Sequence, residues 1–285
     1  MAGKIKSIIS ASRRTDLPAF YYDWLQASLE KGEVELANPR FKDKTYKVNL
    51  RPENVHSIVL WSKDFRNVLH NPGYLENYNL YFQYTINNYS QMLEPFAPPY
   101  KDSLKTIDGL LHKYRPEQFN IRFDPIILSV AGENFPYLEK PGLARLHTFE
   151  TLCRDLAALG MQQSRVTTSF LCLYTHVRER LNRSAIKLIH LDETLQVKFA
   201  MRMVDIAHKY GITLYSCASP ILDQVQGMLQ GSCIDGQLLE HLFKGKVSKA
   251  KDAGQRKECL CSKSSDIGRY DQHCRFGCLY CYATA

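Results

Sequence analysis

The chain has 285 residues, of which 45% are hydrophobic, and it carries a formal net charge of +8. This hydrophobic share supports a sizeable core and excludes a disordered chain. No stretch approaches the roughly 18 uncharged apolar residues that cross a bilayer, and the first apolar run is shorter than the roughly 7–15 residues of a secretory signal, so we expect a cytoplasmic protein without membrane contact.

Short β-type runs alternate with longer helical patterns along most of the chain. The predicted strands cover residues 4–10, 56–62, 78–87, 119–128, 164–174 and 212–219. Helical patterns follow in PAFYYDWLQASLEKG, KDFRNVLHN, DSLKTIDGLLHKYR, GLARLHTFETLCRDLAALG and within 192–210. Repeated strand–helix units predict an α/β fold with a parallel sheet and helical crossovers. Periodicity leaves open whether the sheet is flat or curls into a barrel.

The character of the sequence changes after about residue 225, so we predict an α/β domain over 1–225 and a cysteine-rich tail over 226–285. Ligands of parallel sheets bind at the carboxyl ends of the strands. Polar residues in that position are candidates for binding a cofactor or an acidic substrate group: Arg13, Arg14, Lys63 and Thr85. Arg122 and Asp124 share one side of their strand, where they could bind ribose hydroxyls or form an ion pair with each other, and the ion pair is the simpler account. Asp16, before Pro18, is equally suited to starting a helix.

Five of the nine cysteines lie within residues 259–281. In a reducing compartment, closely spaced cysteines indicate metal ligands rather than disulfides. Cys153 and Cys172 lie in apolar patterns and are predicted to be small buried side chains. Cys274, Cys278 and Cys281 form a C-x3-C-x2-C motif that can bind one face of a [4Fe–4S] cluster. Three thiolates leave one iron open to a small molecule.

The stretch CRFGCLYCYA resembles the cluster motif of the radical S-adenosylmethionine (SAM) superfamily, and especially its spore photoproduct lyase branch. In that superfamily the motif follows the first barrel strand, whereas here it lies at the end of the chain. This placement resembles a bacterial domain-of-unknown-function family with a radical-SAM-like cysteine cluster at its carboxyl end. The stretches that carry the resemblance are SASRRTDLPAFY, LWSKD, FQYTIN, FDPIIL, CIDG and QRKECLCSKSSDIGRYDQHCRFGCLYCYA.

The resemblance implies a partial or distorted TIM-like (β/α) barrel with parallel strands, closed at its mouth by the cysteine-rich tail. It implies a radical SAM enzyme that cleaves SAM reductively at the [4Fe–4S] cluster, with an electron from a reductant such as flavodoxin or ferredoxin. Lys63 would pair with the SAM carboxylate, and Tyr280 would pack near the adenine. The resemblance implies no substrate.

The remaining cysteines leave alternatives open. Cys217, Cys233, Cys259 and Cys261 could form a second site that binds an iron–sulfur cluster or zinc, or they could be buried thiols without metal. A mixed zinc site could use another set, which is Cys261, His273, Cys274 and Cys278.

Two functions of different classes follow from these features. One is the radical SAM enzyme, and the other is a non-catalytic metal-binding scaffold or redox sensor. Residues 244–257 hold six basic residues and one Asp, so either protein could contact nucleic acid through them. A zinc hydrolase is disfavoured because the sequence has no H-x-x-H pair.

Overall fold

The computed structural model describes residues 4–38, 44–129 and 141–283. The fold is mixed α/β, and the strands of its large sheet are parallel. The strands are Ile5–Ala11 (β1), Glu33–Ala37 (β2), Thr45–Asn49 (β3), Val55–Ser62 (β4), Leu80–Thr85 (β5), Phe119–Arg122 (β6), Arg165–Thr168 (β7), Thr213–Cys217 (β8), Leu229–Gly231 (β9), Lys246–Val247 (β10) and Ser265–Asp266 (β11).

The helices differ widely in length. They are Leu17–Phe20 (α1), Tyr22–Lys31 (α2), Arg66–His70 (α3), Tyr100–Leu111 (α4), Pro141–Ala158 (α5), Thr175–Asn182 (α6), Glu193–Lys209 (α7) and Gly236–Leu242 (α8). Short 3-10 helices occupy Gly73–Asn77, Pro116–Gln118 and Leu222–Gln224. No helix of the described residues is both long and apolar enough to span a membrane.

The chain divides into two compact units, each built from two segments of the sequence. The first unit comprises Met1–Tyr84 and Ser232–Cys274. Its parallel strands have the order β10-β1-β4-β5, and β11 also pairs with β1. Seven of the eight residues of β4 are buried, as expected for a strand covered on both faces. Strands β2 and β3 form a separate antiparallel pair.

The late part of the chain joins the first unit along β1. Strand β10 pairs in parallel with Ile5 and Lys6, and β11 pairs in parallel with Ile9 and Ser10. The backbone hydrogen bonds of two short strands thus anchor residues from the sequence-predicted tail beside the first strand.

The second unit comprises Thr85–Gly231 and Arg275–Ala285. Its strands are also parallel, in the order β6-β7-β8-β9. Helices α5 and α7 contact each other, and the rings of Phe123 and Phe149 pack in the core with centroids 5.1 Å apart. Asp192 caps α7 by accepting a hydrogen bond from the Leu195 amide at 2.8 Å.

The parallel α/β prediction is confirmed, and each predicted strand overlaps an observed one. Strands β6 and β7 are shorter than predicted, because the apolar runs continue past Arg122 and Thr168 as irregular chain. In neither unit do the described strands close into a ring. The predicted division at residue 225 stays a prediction, since the two units are defined by contacts and each combines distant segments.

The sequence predicts that two cysteines, Cys153 and Cys172, are buried, and the structure confirms this for one of them. Cys153 in α5 is fully buried, as predicted. The prediction for Cys172 is wrong, because this thiol is exposed. Cys172 lies after the end of β7, in the part of the apolar run TTSFLCLY that is not in a strand.

Candidate functional site

In the first unit, Asp266 fastens the late chain segment to the end of β1. Its carboxylate accepts hydrogen bonds from the Ser10 and Ser12 hydroxyls at 2.8 and 2.7 Å. It also accepts from the Arg13 amide at 2.8 Å and the Gly268 amide at 3.0 Å. Four donors around one carboxylate fix the loop after β1 and the segment after β11 in one arrangement.

Arg13 is mostly buried at this edge and contacts the same late segment. Its Nη1 lies 3.4 Å from Asp252 Oδ2, and its guanidinium lies 5.5 Å from the centre of the Trp61 ring. Burial alone would lower the pKa of Arg13, but its interactions with Cys261, Cys233 and Asp266 raise that pKa above the ordinary value. Arg13 is thus a fixed cation beside two cysteines.

Arg14 also binds the late segment. Its Nη1 donates to the Gly268 carbonyl at 2.8 Å, and its guanidinium stacks over the Tyr270 ring at 4.7 Å. Both arginines that the sequence offers for binding a cofactor or substrate therefore contact residues 252–270 of the same chain.

Lys63 and Asp16 meet at the neighbouring strand end. The Lys63 amide donates to Asp16 Oδ2 at 2.9 Å, and the Ser62 hydroxyl donates to Asp16 Oδ1 at 2.6 Å. Asp16 also caps α1 by accepting from the Ala19 amide at 3.0 Å. Burial raises the pKa of Asp16 to about 7 despite these hydrogen bonds. Asp16 has the helix-start role that its position before Pro18 suggested.

Two hydrogen bonds fasten the end of the chain within the second unit. The Phe96 amide donates to the Phe276 carbonyl at 3.2 Å, and the Leu279 amide donates to the Leu93 carbonyl at 3.0 Å. These bonds lie on either side of Cys278, which is buried. The segment around Cys278 is therefore held by backbone hydrogen bonds.

Tyr280 is buried in a polar network of the second unit. Its hydroxyl donates a short hydrogen bond to Glu94 and accepts one from the Asn87 amide group at 2.9 Å. Its ring packs edge-on against Tyr89 with centroids 5.9 Å apart. Burial and then the charge of Glu94 raise the pKa of Tyr280 well above its ordinary value. The hydroxyl therefore remains a donor at every physiological pH.

The sequence did not reveal the partners of Tyr280. Glu94 and Asn87 lie in a segment without regular secondary structure, and both are buried. Asn87 Oδ1 accepts from the Asp124 amide at 2.8 Å, and Arg145 donates to the Asn87 carbonyl at 2.5 Å. A polar residue in an irregular segment gives no periodic signal, which is why the pattern missed this network.

Two other predicted residues lie at strand ends of the second unit. Thr85 is the last residue of β5 and is half-buried. Arg122 forms an ion pair with Asp124, which also accepts a hydrogen bond from Ser169. The predicted ion pair between Arg122 and Asp124 is confirmed.

Three of the four cysteines of the predicted second site belong to the first unit. Cys261 forms side-chain hydrogen bonds with Cys233 and Cys259, and these bonds lower its pKa despite burial. All three are buried in the first unit. Cys217 is the last residue of β8 in the second unit.

The cysteine motif is divided between the units, with Cys274 ending the first and Cys278 and Cys281 in the second. The Cys281 amide donates to the Cys278 carbonyl at 3.1 Å, which closes a turn between these two residues. Within the described part of the chain, no group of three or more Cys, His, Asp or Glu side chains is placed to hold a metal ion. The donor chemistry of the motif nevertheless suits a soft metal.

The cleft at the β2–β3 pair is unrelated to these residues. It has a volume of about 490 Å³ and is lined by Lys31, Gly32, Glu33, Lys47, Asn49 and Arg51. Glu33 lies 3.8 Å from the Lys31 ammonium and 3.1 Å from the Lys47 ammonium. Glu33 thus pairs with both lysines of this cleft.

The family model described as Domain of unknown function (DUF1848) matches residues 8–283. Neither a curated protein nor a solved structure matches the chain.

Proposed function

This chain belongs to the DUF1848 family of unknown function, and we propose that it is a radical SAM enzyme in which Cys274, Cys278 and Cys281 bind a [4Fe–4S] cluster. The observation that supports the proposal is the anchoring of residues 276–280, which fixes the backbone on both sides of Cys278. When bound and reduced, such a cluster supplies the electron that cleaves SAM.

The short spacing of the motif allows its sulfurs to converge. The turn between Cys278 and Cys281 keeps their Cα atoms within about 7 Å of each other. Cys274 is only four residues before Cys278, and no regular helix or strand separates them. Rotation of side chains within a short irregular segment is enough to direct three thiolates at one cluster, and its binding free energy would stabilise that geometry.

Residues of both units have separate roles in this proposal. Tyr280 orients the backbone next to Cys281 through its hydroxyl, which Glu94 and Asn87 hold. Arg13 and Arg14 fix residues 252–270, the segment that leads to Cys274. Lys63 and Thr85, at strand ends, are the remaining candidates for contacting SAM. We also propose the finer architecture that the sequence predicts, a partial TIM-like barrel whose mouth the cysteine-rich tail covers.

Anaerobic reconstitution with iron and sulfide tests the cluster. We expect the wild-type chain to gain about four irons at the motif and Cys278→Ala to lose them. The matched control is Cys172→Ala, since Cys172 is an exposed thiol outside both cysteine sets. Equal iron content in the wild type and Cys278→Ala would count against the proposal, as would one tightly held zinc without iron.

A nucleic acid is the substrate class that surface charge favours. Lys244, Lys246, Lys249 and Lys251 are exposed, although Lys249 is paired with Glu240 at 2.8 Å. The antiparallel bridge between Lys251 and Ser262 places Arg256 and Lys257 in the connecting loop, where both are exposed. The same charges serve the alternative function, a metal-binding scaffold or redox sensor that binds nucleic acid.

Binding of a single-stranded oligonucleotide tests the charged segment. We expect Lys244→Gln with Lys246→Gln to weaken binding and to reduce the slope of log affinity against log salt by roughly 1–2. Lys101→Gln with Lys105→Gln, two exposed positions of α4, is the matched control. An equal loss in both double variants would show that only the net charge matters.

A further inference from the structure

Outside the cluster motif, one thiol of the first unit, Cys261, contacts two others. Cys261 forms hydrogen bonds with both Cys233 and Cys259. The exposed fraction of these residues is 2% for Cys261, 4% for Cys233 and 8% for Cys259. Thiols at hydrogen-bond distance need little movement to form an S–S bond.

Backbone contacts hold the two segments that carry these thiols side by side. The Ile234 amide donates to Cys261 Sγ at 3.4 Å, and the Ser262 amide donates to the Ile234 carbonyl at 2.8 Å. The Gly236 amide donates to Ser262 Oγ at 3.0 Å. A Cβ at Gly236 would lie 2.9 Å from Ser262 Oγ, so a larger residue there would displace the Ser262 side chain.

A fixed positive charge lies beside the thiols. Arg13 is held by Asp252 and interacts electrostatically with Cys261 and Cys233. A guanidinium next to a cysteine favours the thiolate, which is the species that attacks disulfides. Buried cysteines without such a neighbour are usually inert, and Cys153 in the core of the second unit is an example.

We propose that Cys261 and Cys233 form a reversible disulfide, with Cys259 as an exchange partner. With a disulfide oxidant such as oxidised glutathione, the Cys261 thiolate attacks the S–S bond and releases one glutathione thiolate. Cys233 then loses its proton and attacks the Cys261 sulfur, which releases the second glutathione. Two electrons pass from the two cysteines to the oxidant, and the products are one protein disulfide and two glutathione thiols.

This inference is independent of the proposed radical SAM function, because it uses none of the motif cysteines. The disulfide would connect the segment before α8 to the segment before β11 and would remove the thiolate that faces Arg13. The first unit would therefore respond to the thiol–disulfide balance of its surroundings. Oxidation is expected to raise the unfolding temperature, because the bond closes a loop over residues 233–261.

The test is equilibration of the folded full chain, as purified, with oxidised and reduced glutathione, followed by alkylation, trypsin digestion and mass spectrometry. Trypsin leaves Cys217 with Cys233 in peptide 210–244, and Cys259 with Cys261 in peptide 258–263. We therefore expect the two peptides to be cross-linked in the wild type, in Cys217→Ser and in Cys259→Ser. Cross-linking should be lost in Cys233→Ser, and reduced glutathione should reverse it.

A kinetic comparison keeps the proposal testable if a cysteine variant fails to fold. Arg13→Gln should slow cross-linking about tenfold relative to Arg14→Gln, because only Arg13 faces the thiols. Full alkylation of Cys233, Cys259 and Cys261 after equilibration with oxidised glutathione would overturn the proposal. So would iron or zinc that the purified wild type holds and Cys233→Ser lacks, since the thiols would then be metal ligands.

Discussion

Asp16 shows how burial decides the behaviour of one side chain. Three donors surround its carboxylate, namely the Ala19 amide, the Ser62 hydroxyl and the Lys63 amide. These hydrogen bonds favour the charged form, but desolvation opposes it more strongly and raises the pKa from 3.8 to about 7. The folded protein therefore holds a proton on Asp16 at pH values where the unfolded chain has released it.

The first prediction concerns the pH dependence of stability. Because the folded pKa of Asp16 is raised, its contribution is fully present below about pH 4 and is lost as pH rises through about 7. Each unit of pKa difference corresponds to about 1.4 kcal/mol of unfolding free energy. Asp16→Asn should lower stability at acidic pH and remove this part of the pH dependence.

Urea unfolding between pH 4 and 8 measures the effect. The control is Asp23→Asn, since Asp23 is exposed on α2 and its removal should leave the slope unchanged. An identical slope in the wild type and Asp16→Asn would show that Asp16 is ionised in the folded state throughout this range.

The second prediction concerns Tyr280 and Glu94. Tyr280→Phe removes a buried hydrogen-bond donor, and we expect it to lower the unfolding free energy by about 1–3 kcal/mol. Glu94→Gln should lower the unfolding free energy less in the Tyr280→Phe variant than in the wild type, because the hydroxyl that Glu94 binds is already absent there. Denaturant unfolding of the double-mutant cycle measures the coupling. Tyr282→Phe, at an exposed position of the same tail, is the control.

Residue types and spacing predicted some of the side-chain contacts of the candidate site and not others. The i, i+2 spacing on a strand predicted the Arg122–Asp124 ion pair, because alternation fixes the side on which both residues lie. Nothing local identifies Glu94 as the partner of Tyr280, since their contact joins residues 186 positions apart. The contacts of Cys261 with Cys233 and Cys259 were only one open possibility, because sequence crowding does not establish proximity.

At the scale of elements, the cysteine segment is held by a turn that needs glycine. Gly277 lies between the Phe276 carbonyl and the Leu279 amide that anchor the chain, and its φ is +67°. A Cβ there would also approach the Phe96 ring at 3.4 Å. A residue with a side chain costs about 1–2 kcal/mol in this left-handed conformation.

The third prediction follows from this turn. Gly277→Ala should speed hydrogen exchange of the Leu279 and Phe96 amides and reduce iron retention after reconstitution. Gly254→Ala is the control, because Gly254 is exposed and its φ is outside the left-handed region. Unchanged exchange at both amides would mean that the anchoring does not depend on the turn.

Element prediction succeeded where the hydrophobic pattern was long. Helix α7 lies within the predicted range 192–210, because Asp192 marks its start and Gly211 follows its end. The β2–β3 pair and the two-residue strands β10 and β11 were missed. Short strands have too few residues for a periodic signal, and their pairing with β1 depends on contacts distant in sequence.

At the scale of the whole molecule, the sequence predicts a first domain followed by a tail, whereas contacts define two units that each use distant segments. Residues 232–274 belong with the beginning of the chain because β10, β11 and Asp266 bind β1. Linear composition cannot reveal such pairing. The family model matches residues 8–283, a range that includes both segments.

Cleavage of SAM by the reconstituted protein tests the central claim most directly. Under anaerobic conditions with dithionite and SAM, we predict that the wild type and Cys172→Ala release 5′-deoxyadenosine, measured by chromatography. Cys278→Ala should release none while retaining the far-ultraviolet circular dichroism of the wild type. If the iron-loaded wild type releases no 5′-deoxyadenosine and its visible spectrum is unchanged by SAM, the protein is not a radical SAM enzyme.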